Sequence, residues 1–217
     1  RAIEIAPQDA GIHNNLGNIL KGMHRFEDAE ISFKQSIKLN PKSALSHNNL
    51  GIMLKETARL DEAKTSFEQA IRLNPEFAIA LNNKGLALWC LKQFEEAVPY
   101  FDEALKINPE FTIAWHNRGI TFAELEEYEE AVECYDEAIQ LDPELDDTWH
   151  KKGMALYYLS KFKEAITCYN EAIMLNSDSP DSWHNKGMTF EQLGKHAEAA
   201  TCYDHAISLK GGLDESE

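Results

Sequence analysis

The sequence predicts an all-α solenoid built from six stacked helical hairpins, and two observations on the 217-residue chain support this. Six glycines recur every 34 residues without an insertion, and a fixed period of this length indicates tandem repeats rather than one globular core. Small and aromatic residues within each interval are spaced by four and three positions, which places them on one helix face. The glycines are Gly17, Gly51, Gly85, Gly119, Gly153 and Gly187.

Six full repeats fit the chain, and places within a repeat are counted from its first residue. They predict a single solenoid domain over residues 10–213, followed by an acidic tail at 214–217. Residues 1–9 match the end of a repeat, so we expect them to be the remainder of a truncated preceding repeat in a longer protein. The first residues of the six repeats are Ala10, Ala44, Ala78, Thr112, Asp146 and Pro180.

Each repeat is expected to form two amphipathic helices. The glycine lies in the first helix and a small residue lies at a fixed place in the second, so the two backbones can approach closely. An aromatic residue one turn after that small residue fills the space between successive hairpins. One hairpin cannot bury its apolar stripe alone, so stability must come from stacked neighbours. The aromatic residues are Phe33, Phe67, Phe101, Tyr135, Tyr169 and Tyr203.

Prolines mark most of the boundaries between repeats. A proline after Asn40 and its equivalents ends the second helix, because proline disfavours helix in the residue before it. In the fifth repeat Ser177 replaces that proline, and we expect Pro180 to begin the next helix and the junction to be looser or differently angled. Pro99 lies inside the predicted second helix of the third repeat, which predicts a kink or a shifted helix start.

The fourth repeat shows the pattern most completely, and its residues resemble the tetratricopeptide repeat family. This resemblance extends over residues 10–213. It implies a right-handed superhelical α-solenoid of six helix-turn-helix hairpins, in which the first helices line a concave face that binds peptides. The residues that carry the resemblance are Trp115, Gly119, Phe122, Ala131, Tyr135, Ala138 and Pro143.

Asparagines form two columns in the first helices. A side-chain amide both donates and accepts hydrogen bonds, so a row of amides can pair with the backbone of an extended peptide. A similar asparagine ladder lines the repeats of O-linked N-acetylglucosamine transferase. The alternative is that these side chains cap or bridge neighbouring helices. The sixth place holds Asn15, Asn49, Asn83, Asn117, Lys151 and Asn185, and the fifth holds Asn14, Asn48, Asn82, His116, His150 and His184.

Larger side chains further along the first helices are expected to read the side chains of a ligand. Trp89 and Tyr157 occupy equivalent places, and exposed aromatic residues in a groove are typical anchors. The ninth place is apolar in five repeats, with Ile52, Leu86, Ile120, Met154 and Met188, and these residues either form shallow pockets or pack between first helices. The family's carboxylate clamp for chaperone C-termini needs cations that this chain lacks at the matching places.

No catalytic residue, metal site or cofactor is predicted. Cys134, Cys168 and Cys202 recur one repeat apart, so helix packing keeps them about 8 to 10 Å from one another, too far for a disulfide or a shared zinc ion. The histidines of the fifth place have the same spacing and no nucleophile beside them. We therefore expect a protein that is not an enzyme.

Composition narrows the class of partner. A net charge of −16 argues against nucleic acid, which binds clustered cations. No apolar run approaches the roughly 20 residues of a membrane-spanning helix. Unpaired thiols are typical of a reducing compartment, so we expect a cytoplasmic protein.

The function expected from the sequence is a protein-interaction module that holds an extended peptide or partner segment in the concave groove. Two alternatives remain: an assembly scaffold that uses the acidic convex face of the fourth repeat or the open ends, and the substrate-presenting arm of a larger enzyme. Uncapped ends expose apolar surface, so end-to-end self-association is also expected.

Overall fold

The structure is a computed structural model, and it describes residues 8–211. Within this range the chain forms twelve α-helices and no strand, so the predicted all-α class and the six hairpins are confirmed. The first helices of the repeats begin at the six expected residues. The helices are α1 Ala10–Gly22, α2 Phe26–Leu39, α3 Ala44–Glu56, α4 Leu60–Leu73, α5 Ala78–Cys90, α6 Phe94–Ile107, α7 Thr112–Glu124, α8 Tyr128–Leu141, α9 Asp146–Tyr158, α10 Phe162–Leu175, α11 Pro180–Gln192 and α12 His196–Gly211.

The described chain divides into two compact units of three hairpins each, an N-terminal unit within Arg1–Pro109 and a C-terminal unit within Glu110–Glu217. In each unit a first helix packs against the second helix of its own hairpin and against the second helix of the hairpin before it. The predictions for residues 1–7 and for the acidic tail lie outside the described residues. None of the helices in residues 8–211 has both the length and the apolar character needed to cross a bilayer.

The seam inside each hairpin consists of a glycine facing an aromatic ring. A Cβ atom on Gly51 would lie 2.6 Å from the ring of Phe67, and one on Gly153 would lie 2.7 Å from the ring of Tyr169. The ring therefore occupies the space that any larger residue would need. Beside it, the alanines at the twentieth place, such as Ala63 and Ala165, are fully buried. The glycine and the aromatic residue thus fix how closely the two helices approach.

A tight turn joins the two helices of each hairpin. The residue after the first-helix cap has positive φ in every repeat, and glycine fills this place only in the sixth. In the first repeat the backbone N–H of Arg25 donates to Leu20 across the turn at 2.9 Å, and Arg59 and Leu54 repeat the bond in the second. These six-to-one bonds satisfy carbonyls that the helix end leaves unpaired.

The junction after the fifth repeat keeps one hydrogen bond of the junction before it, although it lacks the proline. The indole N–H of Trp149 donates to the carbonyl of Pro143 at 2.9 Å, and that of Trp183 donates to the carbonyl of Ser177 at 3.2 Å. Helix α11 starts at Pro180, as expected, and the Ser179 hydroxyl caps it by accepting from the backbone N–H of Ser182. The serine therefore supplies the same acceptor as the proline.

Pro99 does not shift the start of α6. The helix begins at Phe94. The starts of successive second helices, Leu60, Phe94 and Tyr128, are evenly spaced along the chain, so the predicted shift is wrong. Pro99 removes the N–H that would bond to the carbonyl of Glu95. Both residues are exposed, so water can satisfy that carbonyl and the helix continues through the proline.

Candidate functional site

The candidate site is the first-helix face, which we define as the surface formed by the fifth, sixth, ninth, twelfth and thirteenth places of the first helices. The eighth place, between them along the helix, is the glycine that packs on the aromatic ring of the second helix. The two units carry different residues on this face. Each is therefore described separately.

In the N-terminal unit, the asparagines bridge successive repeats. The amide Nδ2 of Asn49 donates to Oδ1 of Asn14 at 3.0 Å, and Asn83 donates to Asn48 in the same way at 3.0 Å. A sixth-place amide thus bonds to the fifth-place amide of the repeat before it. This is the bridging role that the sequence analysis gave as the alternative.

Burial separates the two asparagine columns. Asn48 is only 2% exposed and Asn82 is also buried, so both lie beneath the surface that a ligand would touch. Asn49 and Asn83 are half-buried and Asn15 is exposed. Each sixth-place amide has a second N–H and a carbonyl oxygen that the bridge does not use. The sixth-place column is therefore the accessible one in this unit.

In the C-terminal unit, histidines take over the bridging role. Nδ1 of His150 lies 2.9 Å from the Ser182 hydroxyl, and its Nε2 lies 3.4 Å from Nδ2 of Asn185. An amide N–H can only donate, so His150 in this arrangement accepts at Nε2 and donates from Nδ1. Burial lowers the pKa of His150, with a further lowering from Lys151, which favours this neutral form.

His116 makes the corresponding contacts one repeat earlier. Its Nδ1 lies 2.8 Å from the Thr148 hydroxyl and its Nε2 lies 3.4 Å from a carboxylate oxygen of Asp147. The hydrogen bond from His116 lowers the pKa of Asp147. Asn117, beside His116, is buried, whereas Lys151 in the next repeat is half-exposed. His116 and Asn117 thus lie partly within the stack, and Lys151 is open to a ligand.

Two cavities open between the first helices of the C-terminal unit. The Met188 cavity lies between α9 and α11, has a volume of about 40 Å³ and is lined by Met154, Tyr157, Tyr158, Tyr169, Asn185 and Met188. The Ile120 cavity lies between α7 and α9, has a volume of about 230 Å³ and includes Ile120, Glu124, Tyr128 and Lys151. Met154 and Tyr158 line both cavities, so the two are adjacent and one repeat apart.

A third, acidic pocket adjoins the Ile120 cavity through Lys151. It is lined mainly by polar groups, among them the carboxylates of Asp146, Asp147 and Asp181. All three carboxylates have partners within the unit, since Asn176 donates to Asp146 at 2.8 Å, Asp147 contacts His116, and the ammonium group of Lys210 lies 3.7 Å from Asp181. The pocket has a negative potential and suits a cationic group.

The cysteine column is buried under the helices. Cys134 is fully buried, and its sulfur accepts a hydrogen bond from the guanidinium of Arg118 at 3.0 Å. Burial raises the pKa of Cys168 to about 11. Within the described residues, no group of three or more His, Cys, Asp or Glu side chains is arranged to hold a metal ion.

Six family models match successive parts of the chain, and all describe the same repeat. Those described as tetratricopeptide repeat match residues 10–43, 32–65, 54–110, 112–145 and 180–212, and one described as TPR repeat matches residues 153–194. The chain belongs to the tetratricopeptide repeat family. A comparison with curated proteins finds no match.

Solved tetratricopeptide repeat structures share the fold. YrrB, described as a TPR protein with an unusual peptide-binding site, is 25% identical with a TM-score of 0.69, over 85% of this chain and 95% of that one. MamA from Desulfovibrio magneticus RS-1 is 19% identical with a TM-score of 0.75, over 79% and 97%. PilF from Pseudomonas aeruginosa is 18% identical with a TM-score of 0.79, over 95% and 97%.

The two aromatic residues singled out by the sequence lie differently on this tetratricopeptide face. Tyr157 lines the Met188 cavity and packs edge to face on Phe162 at 5.6 Å. Trp89, in the N-terminal unit, is half-buried beside Phe94, and its indole N–H is buried without a hydrogen-bond partner. Both side chains are half-buried, and Tyr157 also lines a cavity.

Tyr158 is the residue of this face that the sequence reasoning missed. It is 57% exposed, stacks on Tyr128 at 4.7 Å and forms a wall of both cavities. Its signal in the sequence is its position four residues after Met154, which places the two side chains together on one helix face. The thirteenth place holds unrelated residues in the other repeats, so the column gave no pattern to notice.

Proposed function

We propose that the protein is a non-enzymatic interaction module that holds an extended peptide or partner segment along its first-helix face. The observation that carries this proposal is the pair of adjacent cavities beside accessible amide and lysine side chains. Tetratricopeptide repeats support a protein-interaction role, and YrrB, at 25% identity, is described as having a peptide-binding site. The proposed contacts to the peptide backbone are made by Asn15, Asn49, Asn83, Lys151 and Asn185.

The remaining predicted residues have supporting roles in this proposal. Asn48, Asn82, Asn117 and His116 hold successive first helices in register, because they are buried or bonded to the next repeat. Trp89 and Tyr157 are proposed to contact ligand side chains. A chain whose backbone is already fixed by bridging amides loses less conformational entropy when it binds.

The test is selection of peptides from a displayed random library, followed by mapping of the bound site by amide hydrogen exchange. We expect protection of the first helices by the selected peptides, and weaker binding of those peptides by Tyr157→Ala. Met174→Ala is the matched control, because Met174 is an exposed residue on second helix α10. Protection confined to second helices would contradict the proposal.

A second experiment tests the amide row. An Asn15→Ala, Asn49→Ala and Asn83→Ala triple variant removes accessible amides and two bridges, so its folding is checked first by circular dichroism and thermal unfolding. We expect weaker binding of any selected peptide that contacts the N-terminal unit. Unchanged affinity in a normally folded variant would remove the amides from the proposed function and leave them a bridging role only.

End-to-end self-association is a second candidate, and one observation favours it. Ile207 in α12 is 68% exposed, whereas its equivalents Ile37, Leu105 and Ile173 are half-buried or buried. A second copy packing on this face would cover it in the way one repeat covers another. Sedimentation velocity over a range of concentrations tests this: association should depend on Ile207 and be lost in Ile207→Lys. A wild-type monomer at all concentrations would contradict it.

A further inference from the structure

We propose that the C-terminal unit selects a basic segment in the polyproline II conformation, with two apolar side chains three residues apart that enter the Met188 and Ile120 cavities. This inference rests on the proposed function and names the class of peptide. The spacing of the two cavities, the hydrogen-bonding groups around them and the charge beside them support it.

The spacing of the two cavities indicates the conformation of the ligand. The cavities are one repeat apart, and packed helices in successive hairpins lie about 8 to 10 Å from one another. In a polyproline II helix, residues i and i+3 share a face and are about 9.3 Å apart, because three residues complete a turn with a rise of about 3.1 Å each. Same-face residues of a β-strand lie only about 6.8 Å apart, two residues on. One repeat therefore corresponds to about one turn of polyproline II and is longer than the same-face interval of a strand.

Hydrogen bonding distinguishes this ligand from a helix. A helix satisfies its own backbone, whereas a polyproline II segment has no internal hydrogen bonds and, where it contains proline, offers carbonyl acceptors without N–H donors. The walls of the cavities carry donors, namely the hydroxyl groups of Tyr157 and Tyr158, the ammonium group of Lys151 and the amide of Asn185. Groups that donate are matched to a backbone that accepts.

The shape of the walls supports the same occupant. Tyr158 stacks on Tyr128 at 4.7 Å and meets Tyr157 edge to face at 5.8 Å, so flat rings separate the two cavities. Aromatic-lined grooves are the surfaces on which proline-rich segments dock, because the rings pack on the flat pyrrolidine rings. Met154, which lines both cavities, adds a side chain that adapts to irregular ligand shapes.

The charge beside the cavities indicates that the partner segment is basic rather than acidic. Four carboxylates line the Ile120 cavity and the acidic pocket beside it, against the ammonium group of Lys151 among the lining residues and that of Lys210, which lies 3.7 Å from Asp181. The carboxylates are those of Glu124, Asp146, Asp147 and Asp181. An arginine or lysine at the end of the segment that passes the Ile120 cavity would lie in this negative field. An acidic segment would be repelled.

The probes are synthetic peptides of proline with two leucines, capped at both ends and followed by two arginines. In one probe the leucines are three residues apart, in a second they are two apart, and in a third the arginines are replaced by glutamates. A helical peptide that bears leucines and the same arginines is the fourth. Binding to the whole chain is measured by calorimetry at low and high salt. We expect the first probe to bind at least about tenfold more tightly than the others, and less tightly at high salt.

Variants of the cavities give the second readout. Tyr158→Ala removes a wall of both cavities and should weaken the first probe by about tenfold, while Met188→Ala and Ile120→Ala should each weaken it less, because each changes one cavity. Met174→Ala should leave binding unchanged. Circular dichroism melts establish that each variant is folded.

Four results would overturn the inference: equal affinity for the two leucine spacings, tighter binding of the acidic or helical probe, no binding of the first probe, or unchanged affinity in folded Tyr158→Ala. The proposed function fails separately, since it falls only when peptides selected without bias protect no first helix. A library that yields first-helix binders while the proline probes do not bind would therefore reject the polyproline II segment alone.

Discussion

The two units share one backbone plan but stabilise it with different chemistry. In the N-terminal unit the aromatic seam is phenylalanine, and the fourth and seventh places hold His13 and Leu16, His47 and Leu50, and Leu81 and Lys84 in the three repeats. In the C-terminal unit the fourth place is always tryptophan, the seventh is always a cation and the seam is tyrosine. The comparison shows that the period fixes the hairpin, whereas the residues between the periodic places decide what each surface can do.

The cations of the C-terminal unit lie between two partners. Lys152 approaches the ring of Trp149 at 5.5 Å and forms an ion pair with Asp136 of the preceding repeat. Lys186 lies 5.0 Å from the ring of Trp183 in the same way. At Lys152 the cation–π attraction is thus combined with a charge pair between repeats. The third repeat already contains this arrangement in part, since Lys84 pairs with Glu68 at 3.0 Å.

The largest loss of stability is expected at the glycine–aromatic seam, which both units contain. Gly51→Ala and Gly153→Ala each place a Cβ within the ring of Phe67 or Tyr169, and we expect each to lower the free energy of unfolding by about 3 kcal/mol. Urea unfolding monitored by circular dichroism measures this. Gly22→Ala is the control, because nothing lies within 4 Å of its Cβ position, and its stability should be unchanged or higher. A loss in one unit alone would break the equivalence of the seams.

The second prediction concerns the seventh place. Leu50→Lys places a cation in a buried site of the N-terminal unit, where the equivalent of Glu68 and Asp136 is Lys34. We expect a loss of about 2 kcal/mol, because the new charge is buried without an opposite partner. The double variant with Lys34→Glu should recover about half of it, as measured by a double-mutant cycle in urea unfolding. No recovery would mean that the pairing of these two places is incidental.

The fold was accessible from the sequence because its determinants recur. Gly119, Ala131 and Tyr135 belong to columns that repeat six times, so each column could be assigned from its period alone. The same reasoning gave the asparagine columns but not their geometry, since Asn49 bonds to Asn14 of the repeat before it. A pattern within one chain does not distinguish an amide that faces a ligand from an amide that joins two helices, because both roles need the same residue at the same interval.

The cavities, in contrast, could not be predicted from the period of the sequence. Tyr158 has no equivalent in the other repeats, and it matters because it meets Tyr128 of α8 while it lies beside Met154 on its own helix, α9. Such a site depends on which side chains three helices bring together, and not on a period. The shifted helix start predicted from Pro99 was wrong for a related reason: its exposed position lets water replace the lost helical hydrogen bond, and exposure is a property of the packed structure.

A smaller change in the free energy of unfolding is expected at the turns inside the hairpins. Ala58 has φ of 58°, and Gly194 occupies the equivalent place of the C-terminal unit with φ of 69°. An L-residue pays about 1 to 2 kcal/mol in this region, part of which is offset by the greater freedom of glycine in the unfolded chain. We expect Ala58→Gly to raise the free energy of unfolding by about 0.5 kcal/mol and Gly194→Ala to lower it by about 1 kcal/mol in thermal unfolding. Effects of the same sign would show that contacts, rather than φ, decide the choice.

The smallest effect is the pH dependence that one histidine brings to each unit. Burial lowers the pKa of both His47 and His150 from their usual value of 6.5. The unfolded chain therefore binds more protons than the folded chain as the pH falls through that value, and stability decreases toward acid. Urea unfolding at pH 7.5 and about pH 5.5 measures the loss. We expect His150→Asn to reduce the loss because it removes the ionisable ring, and His47→Asn to reduce it likewise. Stability that is independent of pH in the wild type would contradict the buried neutral state of both rings.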